Sequence, residues 1–206
     1  MEPIISFRDF SFQYRAQKEP TVRHINLDIM PGERVLIAGP SGSGKSTLGN
    51  CINGLIPFSY PGEVSGSLVV DGVNAPQSGI FELSAHVGTV LQDPDGQFIG
   101  LTVAEDIAFA LENSCTPQKG MHEITRRAAE LVHIEDHLDY APHELSGGQK
   151  PRVSLAGVMV HQVKILLLDE PLANLDPAAG PQTMELIDAI PRQTGPTVLI
   201  IAHLLE

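Results

Sequence analysis

A glycine-rich segment near residue 40 has the residue types and spacing needed to hold a polyphosphate. It reads Gly39, Pro40, Ser41, Gly42, Ser43, Gly44, Lys45, Ser46 and Thr47, and it matches the pattern G-x-x-x-x-G-K-[ST]. The glycines let backbone N–H groups wrap a phosphate, and the helix expected to follow adds a partial positive charge at its N-terminus. We expect Lys45 to reach the β- and γ-phosphates of ATP, Ser46 to bind Mg²⁺, and Thr47 to support the phosphate.

Two adjacent carboxylates, Asp169 and Glu170, follow the apolar run Ile165–Leu168, which ends a strand predicted over Lys164–Leu168. Such a run is typical of a parallel strand that is buried on both faces. Ligand sites in parallel sheets lie at the carboxyl ends of the strands. We therefore expect Asp169 to serve Mg²⁺, directly or through water, and Glu170 to polarise the attacking water. A solvated strand end would explain the pair by itself, and the phosphate loop is what favours the metal and water roles.

A third motif stands between the other two. Leu145, Ser146, Gly147, Gly148 and Gln149 precede apolar residues that predict a helix over Ser146–Val160. Ser146 is a preferred N-cap residue type, and the two glycines leave N–H groups free at the start of the helix. In isolation this motif predicts a capped helix and nothing more.

Together the three motifs, followed by the late His203, resemble in order and spacing the cassettes of ABC-type ATPases, and the resemblance covers the whole chain. It implies an α/β fold: a P-loop NTPase core with a parallel sheet, an antiparallel β subdomain beside the adenine, and an α-helical subdomain near residues 98–145 that carries the signature. We expect residues 1–206 to form a single ABC ATP-binding domain that is truncated after the switch histidine.

The resemblance assigns roles to further residues. Tyr14 resembles the aromatic residue that stacks on adenine, although a core role for Tyr14, or Phe12 in its place, is the alternative. Gln92 resembles the glutamine that touches Mg²⁺ and the attacking water. Asp176 falls in a loop that resembles the one crossing a dimer interface, and His203 resembles the switch histidine that contacts the γ-phosphate. The expected catalytic set consists of Lys45, Gln92, Glu170 and His203.

The third motif also implies a stoichiometry. In ABC-type ATPases the LSGGQ segment caps ATP that is held by a partner cassette, and two ATP molecules lie between two cassettes arranged head to tail. We therefore expect a second ABC cassette as a partner, either identical or different. A lone chain should bind ATP but hydrolyse it poorly.

Four shorter sequence segments resemble one branch of this family, the ATPases of energy-coupling factor (ECF) transporters. The segments that carry this similarity are Asn53–Pro57, a predicted turn over Pro61–Gly66, residues 92–98, and Thr102–Phe109. The branch imports vitamins and transition-metal ions such as cobalt and nickel. It implies a membrane T-component that docks near Gln92–Asp106, a separate substrate-binding S-component, and a peripheral location on the cytoplasmic face of the cell membrane. Other importer or exporter cassettes are the alternative.

Composition excludes several other functions. The chain has 206 residues, with 13 Lys and Arg against 25 Asp and Glu, so its formal net charge is −12. A general nucleic-acid binder needs a basic face to meet phosphates, and no such cluster is visible. Cys51 and Cys115 show no metal-binding spacing and suit a reducing compartment. No apolar run has the length of a membrane span, and no secretory signal is visible, so we expect a cytoplasmic protein.

Periodicity predicts a β-rich start followed by alternating strands and helices. Predicted strands are Ile4–Phe10, His24–Ile29, Arg34–Ala38, Leu68–Val70 and Thr197–Ala202. Predicted helices, besides the one after the third motif, are Leu48–Leu55, Thr102–Asn113, Met121–Leu138 and Gly180–Ile190, with a loop over Ser114–Gly120. This alternation after Arg34 indicates a parallel α/β sheet.

Two features qualify the prediction. Pro151 stands where ABC-type ATPases usually have glutamine, and the chain ends three residues after His203. Two rival functions therefore stay open: a non-catalytic module whose associations ATP controls, and a soluble ABC ATPase of a cytoplasmic assembly.

His133 and His137 have i, i+4 spacing on a predicted helix, but without a third ligand a solvated face is the favoured interpretation.

Overall fold

The computed structural model describes residues 2–91, 96, 98–170, 190 and 195–203. These residues fall into two compact units. The first contains residues 2–89, 164–169 and 196–203, and the second contains the other described residues. Two β-sheets lie in the first unit, and three helices form the body of the second.

Each regular element has a defined range. The strands are β1 (Ile5–Tyr14), β2 (Val22–Ile29), β3 (Arg34–Gly39), β4 (Gly62–Val70), β5 (Val73–Asn74), β6 (Val87–Val90), β7 (Ile165–Asp169) and β8 (Thr197–His203). The helices are α1 (Lys45–Ile52), α2 (Leu55–Phe58), α3 (Ile80–Ser84), α4 (Val103–Asn113), α5 (Gln118–Leu131) and α6 (Lys150–Met159). Among the described residues, no helix has both the length and the apolar character that a membrane span requires.

The N-terminal sheet has the order β2-β1-β4-β5, and all its pairings are antiparallel. Strand β1 lies in the interior and buries Phe7, Phe10 and Phe12 completely. Its register on β4 shifts between Arg8 and Ser11, where Gly66 adopts a φ of 75°. A Cβ on Gly66 would lie 2.3 Å from the carbonyl oxygen of Asp9, so only glycine fits this bulge.

The predicted turn over Pro61–Gly66 is therefore wrong. Gly62–Val70 forms a continuous strand, β4, and the glycines that suggested a turn allow it to follow the irregular edge of β1. The extra residue of the bulge lies on β1, and it places a glycine opposite it inside the ladder, where the sequence pattern of a turn and that of a strand facing a bulge look alike.

The second sheet has the order β3-β8-β7-β6 and confirms the predicted α/β architecture. Strands β3 and β7 both pair with β8 in parallel, and Gly39 stands opposite His203 at the carboxyl end. Helix α1 packs on β3, β7 and β8. A Cβ on Gly49 would lie 2.8 Å from Cδ1 of Ile201, which shows how closely the helix approaches the sheet.

In the second unit, helices α4, α5 and α6 pack against one another. Helix α4 confirms the prediction for Thr102–Asn113: the Thr102 hydroxyl accepts from the N–H of Glu105, and the Glu105 carboxylate accepts from the N–H of Thr102. Helix α5 begins at Gln118, inside the predicted loop, and ends at Leu131.

The predicted helix over Met121–Leu138 is thus too long at its C-terminal end. His133 has a φ of 56°, a left-handed conformation that stops a helix. The guanidinium of Arg152 on α6 donates to the carbonyl oxygen of Val132 at 2.8 Å, which satisfies one of the free carbonyls at the end of α5. Helix α1 likewise ends at Ile52, before Leu55, because Gly54 takes a φ of 81°.

The two histidines with i, i+4 spacing do not share a helix. His133 is exposed beyond the end of α5, whereas His137 lies in a short 3₁₀ turn and is half-buried. The described residues contain no group of three or more metal-ligating side chains. The expectation of a solvated face therefore fits His133 but is wrong for His137.

Candidate nucleotide-binding site

The phosphate loop connects β3 to α1, as the sequence predicts. Gly42 and Gly44 adopt φ values of 75° and 92°, which residues with a side chain rarely take. A Cβ on Gly44 would lie 3.0 Å from the carbonyl oxygen of Thr21. Gly44 is also the N-cap of α1, and no acidic residue lies in the first turn of the helix. The loop therefore presents a helix N-terminus that favours a bound anion.

Lys45 is the first residue of α1, and its side chain is only 7% exposed. Its ammonium donates to the carbonyl oxygens of Gly39 and Pro40 at 2.9 and 2.8 Å. Burying an ammonium requires such partners, because an uncompensated charge would lose its hydration. The side chain is thus folded back over its own loop, with its charge at the position where the sequence predicts phosphate.

The Ser46 hydroxyl lies 3.4 Å from Oδ1 of Asp169, and the two residues come from different elements of the first unit. Ser46 follows the phosphate loop on α1, and Asp169 is the last residue of β7. The hydroxyl oxygen of Ser46 and the carboxylate of Asp169 thus lie together at the carboxyl end of the parallel sheet, where the sequence places them. Hydroxyl and carboxylate oxygens are the ligand types that Mg²⁺ prefers.

Glu170 follows directly after β7, and its φ of 50° lies in the left-handed region. A non-glycine residue in this region is strained, and such strain is concentrated at functional sites. The chain leaves the buried strand at Asp169 and turns sharply at the next residue. The predicted carboxylate pair is therefore divided between the end of a strand and a tight bend.

Tyr14 and Phe12 compete in the sequence for one aromatic role, and the structure separates them. Phe12 is completely buried, and its ring packs edge-to-face on Tyr14 with 4.8 Å between centroids. Tyr14 is half-buried, and its hydroxyl lies 3.1 Å from the hydroxyl of Thr47. Of the two rings, only that of Tyr14 has a surface that a ligand could contact.

The third motif differs from its prediction. Helix α6 begins at Lys150, and Gln149 rather than Ser146 is its N-cap. Gly147, Gly148 and Gln149 form a turn in which the carbonyl of Ser146 accepts from the N–H groups of Gln149 and Lys150. Pro151 is buried in the first turn of α6, where its missing N–H costs no helix bond. This position in the first turn explains why a proline in place of the usual glutamine leaves helix α6 intact.

Gln149 itself makes two contacts that the sequence did not suggest. Its side-chain Oε1 accepts from the N–H of Ser146 at 2.8 Å, and its Nε2 lies 2.9 Å from Nε2 of His137. The side chain thus folds back over the turn that precedes it. Only tertiary structure brings His137 to Gln149, so no pattern in the sequence indicates this contact.

A second feature that the sequence did not reveal lies just before α4. The Asp106 carboxylate accepts from the N–H groups of Ile99 and Gly100 at 2.8 and 3.1 Å. A Cβ on Gly100 would lie 2.4 Å from the nitrogen of Asp106, so the contact requires glycine. The side chains of Ile99 and Leu101 remain 65% and 81% exposed. The backbone is held firmly while two apolar side chains face outward.

Some predicted site residues cannot be placed. Gln92, Asp176 and the predicted helix over Gly180–Ile190, except for Ile190 itself, lie outside the described residues. The backbone of His203 ends β8 beside Gly39, and its side chain is not described. The roles of these residues stay predictions.

Comparison with protein families gives one matching model. The family described as ABC transporter matches residues 22–173. This range includes the phosphate loop, the third motif and the carboxylate pair.

Similar proteins carry the same description. The chain is 60% identical over 205 residues to an ABC transporter ATP-binding protein of Enterococcus faecalis, and 59% identical over 204 residues to one of Lactiplantibacillus plantarum. These alignments cover 100% and 99% of this chain but 36% of each relative. The chain therefore spans about a third of the length of the curated relatives it matches.

A solved structure has the same fold. It is that of CbiO1 from Clostridium perfringens, described as part of the ABC transporter complex CbiONQ. The TM-score is 0.88 at 32% sequence identity, and the alignment covers 99% of this chain and 80% of that one.

Proposed function

Since the chain belongs to the ABC transporter family of ATP-binding domains, we propose that it binds and hydrolyses ATP to power an ECF-type importer. The observation that carries the proposal is the meeting of Lys45, Ser46 and Asp169 at the carboxyl end of one parallel sheet. The transported substrate is a vitamin or a transition-metal ion. The similarity to CbiO1, which is part of a transporter complex, supports this branch.

ATP is held by residues 39–47, whose glycine conformations let the loop wrap a phosphate. The buried Lys45 ammonium exchanges the carbonyls of Gly39 and Pro40 for oxygens of the β- and γ-phosphates. The phosphates also meet the N-terminus of α1. The half-buried ring of Tyr14 is the surface on which adenine stacks. The acidic chain thus binds a polyanion through a local device, despite its net charge of −12.

The residues present fit Mg²⁺. Ser46 Oγ and Asp169 Oδ1, at 3.4 Å from each other, offer a neutral and a charged oxygen in the same place. Ser46 would hold the ion, together with Asp169 directly or through water, and Gln92 is the further ligand that the family resemblance implies. When bound, Mg²⁺ neutralises charge on the phosphates of the nucleotide.

Hydrolysis depends on the position of groups in this chain. Glu170 leaves the sheet in a strained conformation directly after Asp169, where its carboxylate orients the attacking water and accepts its proton. Lys45 stabilises charge that develops on the γ-phosphate as its bond to the leaving oxygen breaks. His203, at the end of β8, contacts the γ-phosphate, and Gln92 contacts the attacking water.

A second ABC cassette completes the site. The turn Ser146–Gln149, which is part of the third motif, closes on ATP that is bound to the partner, as in other ABC-type ATPases. The family resemblance assigns Asp176 to the loop that crosses to this partner. ATP brings the two cassettes together, and hydrolysis separates them, which is the movement that drives transport.

The membrane partner docks near Gln92–Asp106. The contacts of Asp106 with Ile99 and Gly100 fix the backbone there, and the exposed Ile99 and Leu101 provide apolar surface for a coupling helix of the T-component. A separate S-component binds the substrate. The chain therefore works at the cytoplasmic face of the membrane without entering it.

Steady-state ATP hydrolysis by the full-length protein tests this function. The wild type is compared with Glu170→Gln and with Glu123→Gln, a matched change at an exposed carboxylate on α5. Loss of a general base lowers turnover by about a hundredfold or more. We expect this loss of turnover for Glu170→Gln but not for Glu123→Gln. The Glu170→Gln protein should still bind ATP and should accumulate as ATP-dependent dimers.

The dependence of the rate on protein concentration identifies the partner. A rate that rises more than linearly indicates a second copy, and a linear rate with full turnover places the partner cassette in the same polypeptide. ATP binding without turnover in any of these preparations would contradict the proposal and favour the non-catalytic module. Purification without a membrane T-component would favour the soluble ATPase.

A further inference from the structure

We infer that His137 is a positioning residue for the third motif: its neutral ring accepts a hydrogen bond from Gln149 and so fixes the turn Ser146–Gln149. The inference rests on the proposed function, because that function gives the turn its role on ATP of the partner cassette. His137 precedes the motif by eight residues and is half-buried in a 3₁₀ turn.

The direction of the hydrogen bond follows from the chemistry of the donors. The backbone N–H of Ser146 can only donate, so the Gln149 atom 2.8 Å from it must be the amide oxygen. The Gln149 NH₂ group therefore points at His137, with 2.9 Å between the two nitrogens. A donor faces this ring nitrogen, and Nε2 of His137 must accept.

An accepting Nε2 determines the protonation of the ring. The hydrogen of neutral His137 is then on Nδ1, which is buried and has no hydrogen-bond partner among the described residues. The opposite tautomer, or a charged imidazolium, would place N–H against NH₂ at 2.9 Å. Turning the amide of Gln149 around would move the same conflict to the N–H of Ser146. Only the Nδ1–H tautomer satisfies both contacts.

The ring itself is held by its neighbours. His137 packs edge-to-face against Tyr140, with 5.0 Å between ring centroids. The carbonyl of Tyr140 accepts from the N–H of Val103 at the start of α4. The ring of His137 is thus supported by the helical unit, and Gln149 takes its position from that support.

The chain of contacts has a functional consequence. Gln149 is the N-cap residue of α6, and its side chain closes on Ser146, with Gly147 and Gly148 between them. With His137 as the acceptor, the two glycines are held in one turn conformation. Without it, the amide is released and the turn loses a constraint, although nothing that touches ATP in the same chain has changed.

The closing experiment compares His137→Leu with His137→Gln in the full-length protein. Leucine removes the acceptor, whereas the glutamine side-chain oxygen can reach the position of Nε2. We expect His137→Leu to lower turnover about tenfold, with ATP affinity changed less than twofold. We expect His137→Gln to recover at least half of the lost turnover. Equal loss in both variants, or no loss in His137→Leu, would overturn the inference.

The nitrogen NMR shifts of His137 in the wild type give a readout that needs no variant. A protonated Nδ1 and an unprotonated Nε2 support the inference, and the reverse assignment overturns it. The amide resonances of Ser146 and Gln149 should move in His137→Leu and remain in place in His137→Gln. If the wild type does not hydrolyse ATP, the proposed function fails, while these shifts still decide whether His137 sets the turn.

Discussion

The hydroxyl of Tyr14, on the last residue of β1, lies 3.1 Å from the hydroxyl of Thr47 in the first turn of α1. This contact joins the antiparallel sheet to the phosphate loop. It also divides the tyrosine side chain into two parts, because the hydroxyl faces the loop and the ring is supported by the buried Phe12. The two parts can be tested separately.

Removing only the hydroxyl should have little effect on nucleotide binding. We expect Tyr14→Phe to change the dissociation constant of ATP less than about threefold, and Tyr14→Ala to raise it about tenfold, since base–aromatic stacking is worth roughly 1–3 kcal/mol. Titration calorimetry measures both values. Tyr60→Ala, at another partly exposed tyrosine, is the control. Wild-type affinity in Tyr14→Ala would remove Tyr14 from the adenine site.

The pairing of Ser46 with Asp169 predicts a metal-dependent effect. We expect the wild type to bind ATP more tightly with Mg²⁺ than with a chelator, and Ser46→Ala to reduce that ratio by about fivefold, which corresponds to roughly 1 kcal/mol. Fluorescent-nucleotide titration in both buffers gives the ratio. Ser114→Ala, at an exposed serine at the end of α4, should leave it unchanged. An unchanged ratio in Ser46→Ala would contradict the magnesium site.

Two glycines in the second unit should respond oppositely to alanine. At Gly100 a Cβ would meet the backbone of Asp106 at 2.4 Å, so Gly100→Ala should lower the free energy of unfolding by about 2 kcal/mol. At Gly120, inside α5, the nearest atom would be 3.9 Å away, and alanine should add about 0.5–1 kcal/mol through helix propensity. Urea denaturation of both variants measures the changes. Shifts of the same sign would contradict the structure.

The carboxylate of Asp71 predicts an acid-sensitive contribution to stability. Burial alone would raise its pKa, but hydrogen bonds from Lys164 and His86 outweigh this, and the pKa lies below its ordinary value. A lowered pKa stabilises the fold above the unfolded pKa of about 3.9, and this contribution is lost as the pH falls through the folded pKa.

Lys164→Met should therefore lower the free energy of unfolding near neutral pH. The expected loss is about 0.5–1 kcal/mol, a modest value because the lysine is largely exposed. The difference from wild type should shrink as the pH falls below the unfolded pKa and vanish once the pH lies below the lowered pKa of Asp71 in the folded state. Denaturant titrations at several pH values test this, with Lys119→Met on α5 as the charge-matched control. A difference that persists at low pH would exclude Asp71 as its source.

The two cysteines should differ sharply in reactivity. Cys51 lies near the C-terminal end of α1, and burial raises its pKa to about 12, whereas Cys115 is exposed. At pH 8 a thiol of that pKa is thiolate in roughly one molecule in ten thousand. We expect a thiol reagent to label Cys115 rapidly and Cys51 only as denaturant opens the first unit. Rapid labelling of both thiols in the native protein would contradict the burial of Cys51.

The parts of the structure that the sequence predicts are those that local chemistry determines. The apolar spacing over Thr102–Asn113 is a local signal, and α4 forms there, with Thr102 and Glu105 capping its start. The apolar run before Asp169 forms the buried strand β7, because only a strand covered on both faces tolerates such a run. The phosphate loop is set by glycines whose φ values no other residue takes easily.

The sequence does not predict the parts of the structure that distant contacts determine. The end of α5 depends on Arg152, which is twenty residues away in the sequence, and the position of Gln149 depends on His137. The bulge at Gly66 depends on the opposite strand. Periodicity contains no information about these partners. The sequence therefore could not show that the helix predicted over Met121–Leu138 ends earlier, or that the turn predicted over Pro61–Gly66 does not form.

Strand β8 lies between β3 and β7 in the sheet, although it follows both in the chain. On a ribosome, β3 emerges early, but its neighbour at residues 197–203 is translated only after all of residues 40–196. Until then β3 lacks the pairing with β8 that fixes the position of its carboxyl end, where the phosphate loop begins. Contacts so distant in sequence close slowly. The nascent chain should consequently acquire ATP affinity abruptly and late, after the helical unit has already been synthesised.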